Sequence, residues 1–322
     1  MSSSFQIPGH KRLAPYGLMI ALMAFVVFFS AVIPDQFATL ANLRTTISSQ
    51  SVLAILALAV LVPLSAGEFD VSLAMVFTTT MLIVAKLVAD VGWSLPGAAV
   101  IGLVLATLLG AMTGILVVLT RASSLIVSLG MMILLRGGSE ALTEGRSITI
   151  SGENGAVLRG LSTDAAFGAL PFVYLCAIAL IVWYVTEMTP LGRKWYAVGG
   201  SAESARLLGL PSDRLKIGAF AAGGLLAGLA ALLQLSASAA ATSSIGNGFL
   251  FPAIASVFLG AVAFRIGTFN VAGTLTAIFA LAVSITGIGM LGAPNWIDGV
   301  FYGTALIVSV AAVQFFWGRG TQ

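Results

Sequence analysis

Ten apolar runs, each near the length that crosses a membrane as a helix, recur along the 322-residue chain. The hydrocarbon core of a bilayer is about 30 Å thick and needs about 20 helical residues to span it. Hydrophobic residues make up 59% of the chain and charged residues 8%, whereas about a quarter of a soluble domain is charged. We therefore predict an all-α integral membrane protein. The predicted spans are 13–33, 43–64, 71–89, 95–120, 123–143, 170–189, 213–238, 250–264, 269–289 and 296–317.

The distribution of lysine and arginine supports this number of spans. If all ten runs cross the membrane, ten of these cations lie on one side and five on the other. A cytoplasmic majority is what the positive-inside rule expects. We therefore predict cytoplasmic tails at 1–12 and 318–322 and a single transmembrane domain over 13–317. The polar stretch 144–169 is predicted to be an irregular outer loop, and 190–212 lies on the cytoplasmic side.

A short sequence echo indicates that the chain has related halves. The tetrapeptide MTGI at 112–115 returns as ITGI at 285–288. Five predicted crossings separate the copies, so they would have opposite orientations, as in an inverted repeat with a pathway between its halves. Glycines near helical spacing, in 102–114 and 223–231, predict close helix packing because small residues let membrane helices approach.

The residue inventory excludes several classes of chemistry. Cys176 is the single cysteine and His10 the single histidine, so neither a disulfide nor a zinc, haem or iron–sulfur site is expected. No basic cluster interleaves with aromatic residues, which argues against nucleic acid as a partner. Each of the four lysines lacks a preceding glycine, so the phosphate-binding loop of ATPases cannot form. We expect no metal and no cofactor, and energy must come from a partner or an ion gradient.

The cytoplasmic stretch 190–212 contains a short amphipathic segment. Glu203 and Ala205 begin it, and Gly209 and Pro211 are helix-ending residues. Such a helix can lie on the membrane surface or insert into a groove on a partner protein.

The spacing E-x-A-x-x-x-G in this segment resembles the coupling loop of permeases of ATP-binding-cassette importers. The longer GRKWYAVGGSAESARLLGLP at 192–211 is similar to that of the ribose and simple-sugar permease family. Three further stretches match this family in order. They are SAGEFDVSLA at 65–74, SLGMMILLRG at 128–137 and AFRIGTFNVAGT at 263–274.

The resemblance implies a permease fold of about ten helices, like that of vitamin B12-type (type II) importers, in a bacterial inner membrane. It also implies a second permease copy or paralogue, cytoplasmic ATPase subunits, and a periplasmic or lipid-anchored sugar-binding protein. Residues 190–212 would be the coupling loop, in which Gly199, Glu203, Ala205 and Gly209 transmit motion from the ATPase. The chain departs from the family in having Val, Ser, Leu and Ala after Asp70, and Ser204 in the coupling motif.

Glu68 and Asp70 lie between two apolar runs, where acids need a partner or a role. Asp70 is predicted to cap the third helix by accepting its free N–H groups. Glu68 has no such obligation, and Gly67 lets the backbone turn sharply beside it. We expect Glu68, Asp70 and Ser72 to line or close the translocation path, although a purely structural turn would explain them equally well.

At the outer end, Asn247 and Phe251 are predicted to line the mouth of the path. Amide groups and aromatic faces suit a sugar, but an ordinary Gly/Ser loop is an equal alternative. A different class, the ion-coupled secondary transporter, would need an unpaired acid in mid-membrane. Arg136 and Glu140 are four residues apart and are expected to neutralise each other instead.

Overall fold

The computed structural model describes residues 14–163 and 170–317. A 3₁₀ turn at Ala14–Tyr16 precedes the first helix, and a π-helical turn at Tyr184–Met188 follows the eighth. The helices are α1 Gly17–Val32, α2 Pro34–Phe37, α3 Leu40–Ser65, α4 Leu73–Ala89, α5 Leu95–Thr120, α6 Ser124–Thr143, α7 Gly152–Thr163, α8 Leu170–Trp183, α9 Pro190–Gly200, α10 Ala202–Leu207, α11 Ser212–Ser238, α12 Ile245–Gly260, α13 Val271–Met290 and α14 Trp296–Trp317.

The predicted all-helical membrane class is confirmed. Within the described residues, six helices are long and apolar enough to cross a membrane, and α8 reaches that length together with its π-helical turn. Four shorter apolar helices are α1, α4, α12 and the first sixteen residues of α14. Each predicted span overlaps one of these helices, and the bounds of α5 and α14 coincide with those predicted.

The outer stretch 144–169 differs from the predicted irregular loop where it is described. Strand β1, Ile148–Thr149, pairs antiparallel with β2, Ala240–Ala241, and α7 follows. Leu158 is only 3% exposed and lies three residues after the buried Gly155, so α7 has a face that packs inward. The helix was not predicted because its many polar residues are also typical of a loop.

The chain divides into two compact units, one spanning Leu40–Ile254 and the other combining the residues up to Thr39 with those from Ala255 onward. In the unit Leu40–Ile254, α3 packs against α11 and α8. Every residue of α3 from Ser51 to Ser65 is buried. A helix that is apolar all round belongs in such an interior position.

Helices α5 and α11 of this unit pack through glycines. A Cβ atom on Gly110 would lie 2.4 Å from the Phe220 carbonyl oxygen, and one on Gly224 would lie 2.3 Å from the Ala106 carbonyl oxygen. Only glycine allows the two backbones to come so close. The close packing predicted from the glycine spacing in 102–114 and 223–231 is therefore confirmed.

In the other unit, α1 packs against α13, where the ring of Phe29 covers Gly287. The motif 263–274 forms the connection between α12 and α13. The buried side chain of Asn270 holds it: Oδ1 accepts the Gly273 N–H at 2.7 Å, and Nδ2 donates to the Ala263 carbonyl at 3.1 Å. Asn270 is thus the N-cap residue of α13.

Candidate functional site

The turn after α3, residues 66–72, is called the acidic turn here. Gly67 has φ +79°, a value that favours glycine, and the Glu68 N–H donates back to the Pro63 carbonyl at 3.0 Å. Two serines of α6 hold the far side of the turn: Ser124 Oγ accepts the Phe69 N–H at 3.0 Å, and Ser128 Oγ donates to the Phe69 carbonyl at 3.2 Å. These hydrogen bonds join the acidic turn to α6. Ser128 is the first residue of the motif 128–137, and Ser124 lies one turn before it.

Asp70 has a different role from the predicted one. The N-cap residue of α4 is Ser72, and Asp70 Oδ1 accepts both the Ser72 N–H, at 2.9 Å, and the Ser72 hydroxyl, at 2.6 Å. If Asp70 were the N-cap, α4 would begin at residue 71, but it begins at Leu73. The carboxylate therefore stabilises the turn before the helix and not the helix terminus itself. Asp70 is 1% exposed, and its Oδ2 has no hydrogen-bond partner among the described residues.

Glu68 is paired with Lys216, near the start of α11. The side chains of Glu68 and Lys216 are 8% and 21% exposed, so this ion pair is largely shielded from water. A second ion pair, Arg206 with Asp213, lies nearby. Together with Arg121 these groups line a polar cavity of about 360 Å³.

Residues 190–212, the predicted coupling loop, contain two helices, α9 and α10, where one was predicted. Thr189 and Ser201 are their N-caps; Thr189 Oγ1 accepts the Gly192 N–H, and Ser201 Oγ accepts the Ser204 N–H. Ser204, the departure from the family motif, also receives a hydrogen bond from the Ser201 hydroxyl at 2.9 Å. Trp195 Nε1 donates to the Leu215 carbonyl at 3.0 Å, which fastens α9 to α11.

The four predicted coupling residues occupy distinct positions. Gly199 lies near the end of α9, and Glu203 is exposed in the first turn of α10. Ala205 is 2% exposed and faces the protein. Gly209 follows α10 with φ +80° and with no atom within 4 Å of the place a Cβ would take.

Gly199 brings the coupling loop into direct backbone contact with the acidic turn. A Cβ atom on Gly199 would lie 2.5 Å from the Ser65 carbonyl oxygen, and one on Gly67 would lie 2.9 Å from the Gly199 Cα. Neither glycine can gain a side chain without a backbone shift. The structure thus joins Gly199 to Glu68 and Asp70, two groups of residues that were predicted separately.

Two leucines of the amphipathic segment, which its sequence indicates as part of an apolar face, are exposed, whereas Ala205 of the same expected face is buried. Leu207 and Leu208 are 85% and 81% exposed. Their position in the amphipathic segment was visible in the sequence, but the direction in which they point was not.

Asn247 and Phe251 both lie on α12, because this helix begins at Ile245 and not at residue 250, where the predicted span begins. Both side chains are exposed. The intervening Phe249 instead packs against Phe77, with ring centroids 5.3 Å apart. No cluster of three or more metal-ligating side chains occurs in the described part of the chain.

The long apolar helices define the class of the chain as a multi-pass membrane protein. The profile of the family described as branched-chain amino acid transport system / permease component matches residues 42–310. The chain belongs to this permease family, and the resemblance identified from the four motifs is confirmed.

Named relatives align over most of the chain. The ribose import permease protein RbsC of Escherichia coli is 29% identical over 294 residues, 91% of each chain. RbsC of Haemophilus influenzae is 29% identical over 318 residues, covering 98% of this chain and 97% of its own. The autoinducer 2 import system permease protein LsrC of Photorhabdus luminescens is 28% identical over 302 residues, covering 93% of this chain and 89% of its own. No solved structure matches significantly.

Proposed function

We propose that this chain is the membrane-spanning subunit of an ATP-binding-cassette importer for a monosaccharide, ribose or a related simple sugar. The observation that carries the proposal is the alignment of over 90% of the chain with permeases named for ribose and autoinducer 2 import. The partners would be cytoplasmic ATPase subunits, a periplasmic or lipid-anchored sugar-binding protein, and a second permease copy or paralogue. The chain itself would hydrolyse no ATP.

The ATPase subunit would dock on the tip of the coupling loop. Leu207 and Leu208 supply exposed apolar area, which would be buried on docking with a gain of about 1.5–3 kcal/mol for each fully buried leucine. Glu203, which is exposed in the first turn of α10, would add a negative charge that helps to orient the partner. Gly209 and Ala205 set the shape of this tip and do not contact the partner through long side chains.

Movement of the coupling loop would reach the pathway through the acidic turn. The backbone contact between Gly199 and Gly67 transmits displacement because neither residue has a side chain that could yield. The ion pair of Glu68 with Lys216 holds the same turn to α11. ATP binding in the partner would move the loop, strain both contacts and shift the subunit between inward-open and outward-open states. Glu68 would then act as a gate residue, with Asp70 and Ser72 shaping the turn.

The topology proposed for this function has ten crossings, with both termini in the cytoplasm of a bacterial cell and the chain in its inner membrane. The six long and four shorter apolar helices support it. The two inverted-repeat-like halves and the similarity to type II importers belong to the same proposal. The terminal tails 1–12 and 318–322 lie outside the described residues.

One observation favours the alternative, an ion-coupled secondary transporter. Asp70 is a buried acid whose Oδ2 is unpartnered among the described residues, as a proton carrier could be. By contrast, Arg136 Nε donates to Glu140 Oε1 at 3.0 Å, so the expected neutralising pair is confirmed. Because the Asp70 hydrogen bonds to Ser72 are those of a structural turn, the importer is the better supported function.

The deciding experiment is purification of the subunit in mild detergent from native cells grown on mixed sugars, followed by mass spectrometry of the proteins that accompany it. Recovery of an ATPase with a phosphate-binding loop, and of a sugar-binding protein, supports the importer. Uptake is then measured in proteoliposomes with and without internal ATP. Uptake that depends on a proton gradient and is the same with and without ATP would establish the secondary transporter instead.

A further inference from the structure

A second cavity lies in the unit Leu40–Ile254, at the end away from the coupling loop. It has a volume of about 590 Å³, within the range of about 300–1,000 Å³ typical of small-molecule sites. It is lined by the first turns of α3, the last turns of α11, Ser162 of α7, Pro171 of α8 and Phe249 of α12. Since α3 ends at the acidic turn and α11 begins beside it, this outer cavity lies at the opposite end of the same two helices.

The lining of the outer cavity combines a polar rim with an apolar floor. The residues that matter for binding are Arg44, Thr45, Ser48, Ser49, Gln234 and Phe249. Val52 and Leu233, which are 3% and 7% exposed, form the floor. Polar groups above an apolar floor are the usual lining of a small-molecule site.

Two of these polar groups are half-buried and uncommitted. Ser48 and Gln234 are neither exposed nor fully buried, and among the described residues their side chains have no hydrogen-bond partner. Thr45 and Ser49, in contrast, donate their hydroxyl protons to carbonyls of α3, at 3.0 and 3.2 Å. Their oxygens can still accept. The cavity thus offers both hydrogen-bond donors and hydrogen-bond acceptors to a ligand.

Phe249 supplies an aromatic wall that is held in place. Its ring packs on Phe77, which is fully buried. The Gly246 N–H donates to Thr78 Oγ1 at 3.1 Å, and a Cβ on Gly246 would lie 2.2 Å from the Ala74 carbonyl oxygen. The first turn of α12 is therefore fastened to α4, and Phe249 needs little ordering when a ligand arrives.

The charge of the lining discriminates between cargo classes. Arg44 is the one charged side chain among the described lining residues, and none of those described residues is a carboxylate. An amino acid would bring an ammonium group that finds no counter-ion there, whereas a neutral sugar needs only hydroxyl, amide and guanidinium partners and an aromatic face. We propose that the outer cavity is a weak binding site for a neutral polyhydroxylated cargo, with Ser48, Gln234 and Phe249 as its main contacts.

This inference rests on the proposed import function, and binding must be weak so that the cargo can leave. The test uses the full-length chain with Cys176→Ala as background and one new cysteine at Ser48, in right-side-out vesicles. A membrane-impermeant thiol reagent labels this cysteine with and without D-ribose, D-xylose or D-glucose; L-leucine is the comparison cargo. The matched control is Ser94→Cys, which is exposed just before α5 and does not line the cavity.

We expect at least one of the sugars to slow labelling at Ser48→Cys about fourfold when its concentration is about three times its dissociation constant, as one-site occupancy requires. L-leucine should not slow it, and labelling at Ser94→Cys should not respond. Adding Gln234→Leu should raise the half-protecting sugar concentration roughly fivefold, the loss expected for one neutral hydrogen bond. If Ser48→Cys does not fold, Ser49→Cys on the rim replaces it.

Protection by none of the three sugars, protection by L-leucine alone, or equal slowing at the control position would each overturn the inference. ATP-dependent uptake of the same sugar by the assembled importer is measured in parallel. Uptake without protection would reject the outer cavity as the binding site while leaving the import function intact. Protection of the cavity without ATP-dependent uptake would reject the importer alone.

Discussion

Lys216 on α11 forms an ion pair with Glu68 in the acidic turn, and both side chains are largely shielded from water. Removing one member leaves the other charge poorly solvated, which is the expensive way to break such a pair. The pair also connects the end of α3 to the start of α11, the two helices that run from the acidic turn to the outer cavity. We therefore propose this pair as the point at which gating is controlled.

We expect Glu68→Gln to lower the free energy of unfolding in detergent by about 2 kcal/mol, less than the roughly 3–5 kcal/mol of a fully buried pair because Lys216 is partly solvated. Uptake should fall as ATP hydrolysis becomes less dependent on cargo. The exchange Glu68→Lys with Lys216→Glu should recover part of both losses. Full uptake and full coupling in Glu68→Gln would remove Glu68 from the gate.

The contact between Gly199 and Ser65 predicts that a single methyl group uncouples the importer. Gly199→Ala places a Cβ 2.5 Å from a carbonyl oxygen, and overpacking of this kind costs about 1–3 kcal/mol. We expect uptake per ATP hydrolysed to fall about tenfold, the effect of a penalty near 1.4 kcal/mol on the transport-competent state. The neighbouring Gly200→Ala is the control, since no atom lies within 4 Å of its Cβ position. Equal effects of the two substitutions would contradict the transmission role.

Gly209 is required for its backbone conformation and not for space. Its φ of +80° is strained for a β-branched residue, at a cost of about 1–2 kcal/mol. Gly209→Val should therefore misplace the tip of the coupling loop and uncouple ATP hydrolysis from uptake, with normal amounts of subunit in the membrane. Gly209→Asn should be far milder because asparagine tolerates positive φ. Membrane content by immunoblot and coupling in proteoliposomes are the measurements.

The exposed leucines of the coupling loop predict an assembly defect without a folding defect. Leu207→Ser should weaken binding of the ATPase subunit roughly thirtyfold, which corresponds to about 2 kcal/mol of lost apolar burial. The thermal stability of the isolated permease should not change. Val157→Ser, at an exposed position on α7, is the control. Binding is measured by titrating labelled ATPase subunit onto permease in nanodiscs, and unchanged affinity in Leu207→Ser would place the docking surface elsewhere.

The glycine contact between α5 and α11 predicts a purely structural defect. In Gly110→Ala the added Cβ would lie 2.4 Å from the Phe220 carbonyl oxygen, so the helices must separate. We expect the free energy of unfolding to drop by about 1–3 kcal/mol. Gly130→Ala in α6 has open space around the added methyl and should leave stability nearly unchanged or slightly raised. Thermal unfolding in detergent compares the two, and similar melting temperatures would contradict the packing described.

Local patterns predicted the elements well and the contacts between them poorly. The bounds of α5 followed from its continuous apolar run, a feature that can be read from the sequence alone. The pairing of Glu68 with Lys216 could not be predicted in this way, because nothing in the sequence around either residue specifies a partner so distant in the chain. Likewise, the glycines and serines of 241–254 suggested a loop, and only the helical α12 turns Phe249, and not Phe251, towards Phe77.

The burial of α3 on every side has a consequence for how the protein is made. During synthesis α3 enters the bilayer long before α11 exists, so it must first tolerate lipid around its whole circumference. Its unbroken apolar sequence from Val52 to Leu64 allows this, since no polar side chain there would be stranded in hydrocarbon. The same apolar sequence that later packs in the protein interior therefore also allows α3 to stay in the bilayer before α11 has been synthesised.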